Sequence, residues 1–125
     1  MNEYRVWDGK KMYYWDDGEL YLIISGGEWG LYRNNVTSLH ASLIASSNQR
    51  NAVLMWGTGR RDEEGRMIYP GNKIEYYTED FSIVTKKVRL VNTIEVTDGL
   101  HNVPGDYAKN IRIIGDVYER VEDAE

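Results

Sequence analysis

Apolar and polar positions alternate through the first quarter of the chain. In "YRVWDGKKMYYWDDGELYLIIS" the runs Tyr4 to Trp7, Met12 to Trp15 and Leu20 to Ser25 carry the two-residue period of half-buried strands, with "DGK" and "DDG" as turns between them. This pattern predicts an antiparallel meander. In "GGEWGLYRNN", Gly26, Gly27 and Gly30 bracket Trp29, which predicts a turn and a short strand ending at the paired asparagines.

Residues 36 to 52, "VTSLHASLIASSNQRNA", break the alternation: Val36, Leu39, Leu43 and Ile44 share one helical face, so a short helix is expected before a loop-like tail. Strand character resumes at Val53 to Trp56. In "GTGRRDEEGRMIYPGNKIEYY", "DEEG" predicts one tight reversal between short strands and "PGN" a second, before "KIEYYT" alternates as the next strand. The β-branched run from Phe81 to Thr97 is too long for one ordinary strand and should bend or turn near Lys86 or Asn92. "DGLHNVPGDYAKN" reads as a long loop, and "IRIIGDVYERV" as a closing strand with a bulge or close backbone approach at Gly115. About eight short strands with at most one or two short helices point to a mainly β fold, a small barrel or sandwich.

A chain of 125 residues can bury one modest core, so residues 1–120 are expected to form a single β domain with an acidic tail, 121–125, that frays. With no cysteine, thiolate zinc sites and thiol redox chemistry are excluded. The longest apolar run, "LYLII", is too short to cross a bilayer, and "MNEYRVWDGK" lacks a secretory pattern, which makes the cytoplasm the expected location. The net charge of −5 is spread evenly, with 7 basic and 9 acidic groups in residues 1 to 65 and 8 and 11 in residues 66 to 125. Two small basic clusters stand out, Arg60/Arg61/Arg66 and Lys86/Lys87/Arg89, against a balance that disfavours phosphate binding. Ten tyrosines and four tryptophans against one phenylalanine are the compositional anomaly; such side chains suit half-buried strand faces, subunit contacts and stacking platforms.

Candidate chemistry is thin. "GTGRRDEEG" lacks the Lys-Ser/Thr of a phosphate loop and precedes a strand where that loop needs a helix. His40 and His101 have no neighbouring ligand residue and read as surface or packing histidines. The carboxylate pairs Asp16/Asp17, Glu63/Glu64 and Glu79/Asp80 sit at turns, and adjacent strand positions point to opposite faces, which suits solvation better than acid–base catalysis. Ser42, Ser46 and Ser47 lack both elbow glycines and a base. Tyr4, Trp7, Tyr13, Tyr14, Trp15, Tyr76 and Tyr77 could stack bases, although packing is the simpler reading. No cofactor or metal is called for, and no catalytic residue emerges.

Three blocks, "YRVWDGKKMYY", "GTGRRDEEGRMIYPGNKIEYY" and "IRIIGDVYERVED", resemble in order the YopX family of phage and prophage proteins. There an opening aromatic-x-Ala-Trp-Asp segment ends in Lys-Met. The centre reads Tyr-Thr-Gly-Leu-Lys-Asp-x-x-Gly-x-x-Ile-Tyr-x-Gly-Asp-x-Val, and the close Ile-Gly-Asn-Ile-Tyr-Glu-Asn. Trp7, Asp8, Lys11 and Met12 match the opening; Thr58, Gly59, Asp62, Gly65, Ile68, Tyr69 and Gly71 the centre; Ile114, Gly115, Tyr118 and Glu119 the end. Gly57, Arg60 and Asn72 depart from the family's aromatic, aliphatic and aspartate, and an asparagine can still make the turn hydrogen bond, which favours a structural role for the motif. The resemblance implies a small barrel of Src-homology-3 type with additional antiparallel strands, a phage or prophage origin, self-association and no settled catalytic activity.

The leading expectation is therefore a non-enzymatic binding or assembly module whose surplus Tyr and Trp form a homo-oligomeric contact or one with a host or phage protein. A single-strand nucleic-acid binder using Arg60, Arg61, Lys86, Lys87 and Arg89 is the alternative, and a small-metabolite-binding or enzymatic protein the third.

Overall fold

A computed structural model describes residues 3–34, 41–81, 87–97 and 102–118, with 80, 81 and 87–89 described by backbone alone. The elements are β1 (Tyr4–Trp7), β2 (Met12–Tyr14), β3 (Leu20–Ser25), β4 (Glu28–Asn34), β5 (Ala41–Ser46), β6 (Val53–Trp56), β7 (Asn72–Phe81), β8 (Lys87–Glu95) and β9 (Lys109–Asp116). They form three three-stranded antiparallel sheets, ordered β2-β1-β6, β3-β4-β5 and β8-β7-β9. Among the described residues there is no helix, and no sheet closes into a barrel. The predicted meander is corrected too: β1 pairs with β2 and with the distant β6, while β3 joins β4 in another sheet. Alternation identifies a strand but carries no information about its partner.

The expected helix over residues 36 to 52 is likewise corrected. Ala41–Ser46 is a strand paired to β4, with a register shift between Leu31 and Tyr32, while Val36 and Leu39 lie outside the described residues. A few apolar positions at helical spacing yield to an available sheet edge, because the edge satisfies the backbone and packs Ala45 and Ile44 at once.

The chain divides into two compact units, the first reaching to Trp56 and the second beginning at Gly57. In the first, the row Tyr13–Val6–Leu54 across β2-β1-β6 packs with the row Leu22–Leu31–Ala45 across β3-β4-β5, and Val6, Leu31 and Ala45 are fully buried. β1 is buried on both faces. Arg5, opposite in direction to Val6, is also fully enclosed, and its Nη1 donates to Tyr14 Oη at 3.5 Å.

In the second unit the row Ile113–Ile74–Ile94 is joined by Ile68, Val96, Ile111 and Tyr76. Of the two places where the run after Phe81 was expected to bend, Lys86 lies outside the described residues, and β8 continues through Asn92 with unbroken register to β7. β9 shifts register twice against β7. One shift lies at Ile114–Gly115, where a bulge was predicted; the other contains Asn110, whose φ of 54° is one that asparagine tolerates.

Candidate functional site

The central motif is a knot built around Asp62. The chain turns back after Arg61, which bridges to Met67; Asp62 N donates to Arg66 O, and Gly65 N to Asp62 O, with Gly65 at φ 85°. This geometry turns the Asp62 carboxylate inward, where it is completely buried. Oδ1 accepts from Glu64 N at 3.0 Å and Arg66 N at 2.9 Å, while Oδ2 accepts from Arg66 Nε at 3.0 Å and Ile113 N at 3.3 Å and pairs with Arg66 Nη2 at 2.8 Å. Burial alone would push its pKa up. The hydrogen bonds from the Arg66 and Ile113 backbone, and the Arg66 side chain and charge, outweigh burial and hold the carboxyl below the usual carboxylate range. A carboxylate so enclosed and so fully bonded is a fastener, not a base.

The remaining motif positions serve the same fastening. Thr58 N donates to Ile68 O and Ile68 N to Arg60 O, and Glu63 N donates to Ile111 O, which ties the turn to β9. Ile68 and Tyr69 are buried. Asn72 Oδ1 accepts from Tyr69 N at 2.7 Å, closing the second reversal over Gly71, whose φ is 95°. Asn72 Nδ2 donates to Asp116 Oδ2 at 3.4 Å, and Asp116 Oδ1 accepts from Tyr118 N. The family pattern quoted above has Asp and Asn at these two positions, so this chain holds the pair in reverse. At the opening block, Trp7 and Met12 pair across the β1–β2 turn, and Asp8 Oδ1 accepts from Lys10 N at 2.8 Å and Lys11 N at 2.7 Å. Gly59 has φ 87°, and Gly115 sits beside the β9 bulge. Lys86 and Glu119 lie outside the described residues.

Arg60 Nη1 donates to Pro104 O at 2.7 Å and Arg61 Nη1 to Gly65 O at 3.1 Å, so both guanidinium groups serve loop carbonyls. Their turn is fastened to β9, at one edge of the sheet, whereas Lys87 and Arg89 occupy register positions on β8, at the other.

His40 and His101 lie outside the described residues, and among those described no three metal-ligating side chains cluster. Asp17 and Glu19 meet Arg33 at 3.6 and 3.0 Å in a surface ion network. Burial raises the pKa of Tyr4; burial, then the Asp8 carboxylate, raises that of Tyr13, partly offset by Arg33. Both therefore stay phenols at neutral pH. Among the described residues no helix is long and apolar enough to cross a membrane.

The aromatics divide between core and surface. Tyr4 packs edge-on to Trp56 at 5.9 Å, and Tyr13 and Tyr76 line cores, while Tyr14 and Trp15 are exposed. The feature that sequence reading missed is the outer face of β3-β4-β5. There Tyr21, Tyr32 and Leu43 form one row across the sheet, with the two tyrosine rings stacked at 5.5 Å. Tyr32 lies over Gly30, where an added Cβ would stand 2.9 Å from its Cε1. Ile23 and Leu43 on this face are 49% and 53% exposed. The spacing Gly30-x-Tyr32 opposite Tyr21 was the available signal, since residues two apart share a strand face.

Comparison with known proteins gives one consistent result. The profile of the YopX protein family matches residues 3–122. The SPbeta prophage-derived uncharacterized protein YopX of Bacillus subtilis (strain 168) is 37% identical over 134 residues, covering 95% of this chain and 92% of that protein. The X-ray crystal structure of protein yopX from Bacillus subtilis superposes with a TM-score of 0.63 at 31% identity, covering 99% of this chain and 98% of that one.

Proposed function

The chain belongs to the YopX protein family, and we propose on that footing that it is a prophage-derived, cytoplasmic, non-enzymatic assembly module that associates with copies of itself. The observation that carries this reading is the outer face of β3-β4-β5, where Tyr21, Tyr32, Leu43 and Ile23 form an apolar patch on one sheet face. Aromatic bodies with polar tips, held in fixed rotamers by stacking, suit a protein contact because little side-chain entropy remains to be lost on association. The motif residues that might have carried chemistry support it from the other side: Asp62, Arg60, Arg61 and Arg66 are engaged in holding the fold.

Light scattering and native mass spectrometry between about 1 and 100 µM test the reading. A concentration-dependent dimer or higher species is expected, weakened by Leu43→Glu and by Ile23→Glu. A strict monomer over that range overturns it. Tight oligonucleotide binding near 50 mM salt that falls steeply with added salt would replace it with nucleic-acid binding.

A further inference from the structure

We draw no further inference here: the strongest candidate, the edge of β8 where Leu90 and Val91 are exposed and β7 is the one described partner strand, is an open sheet edge, and nothing in the structure shows what covers it.

Discussion

The side-chain amide of Asn72 reaches the carboxylate of Asp116 at 3.4 Å, across a separation of 44 residues, while its carbonyl holds Tyr69 N. An aspartate at 72 would keep the turn bond and place a second carboxylate against Asp116. The reversed pair, Asp at 72 and Asn at 116, would restore a donor to an acceptor.

Asn72→Asp should therefore cost about 1–3 kcal/mol, and Asp116→Asn added to it should recover most of the loss. Urea unfolding of both single variants and the double gives the coupling. Additive effects would show that the two positions act independently.

Asp62→Ala should be among the most destabilising changes in the second unit, about 3 kcal/mol, because it strands the backbone donors of Glu64, Arg66 and Ile113. Asp62→Asn should cost less, since one oxygen can still accept. Hydrogen exchange at the Ile113 amide should rise in both variants.

The pH dependence follows from the depressed pKa of Asp62. Its folded value lies below the unfolded one of about 3.9, so its contribution is fully present above that pH and is lost as the pH falls through the folded value. Denaturation midpoints should fall with acid more steeply in the wild type than in Asp62→Asn, and the two slopes should converge above about pH 5.

Gly30→Ala should disturb the aromatic face without unfolding the chain. Its Cβ would meet the Tyr32 ring at 2.9 Å, forcing the ring up and breaking the stack on Tyr21. A loss of about 1 kcal/mol and a changed near-ultraviolet circular dichroism spectrum are expected. If self-association uses this face, it should weaken in the same variant.

Strands and reversals were legible in the sequence because they depend on neighbours. The two-residue period located β1, β3, β6 and the start of β7, and "DEEG" and "PGN" announced their turns. Three matching blocks also placed the chain in its family, and Gly115 marked the bulge in β9. Only tertiary structure decided which strands share a sheet, that Ala41–Ser46 extends instead of coiling, and that Asp62 is buried with donors from a strand fifty-one residues away. Periodicity and turn chemistry are local properties of the chain. Pairing partners, sheet edges and the enclosure of a charge depend on which distant segments arrive beside it.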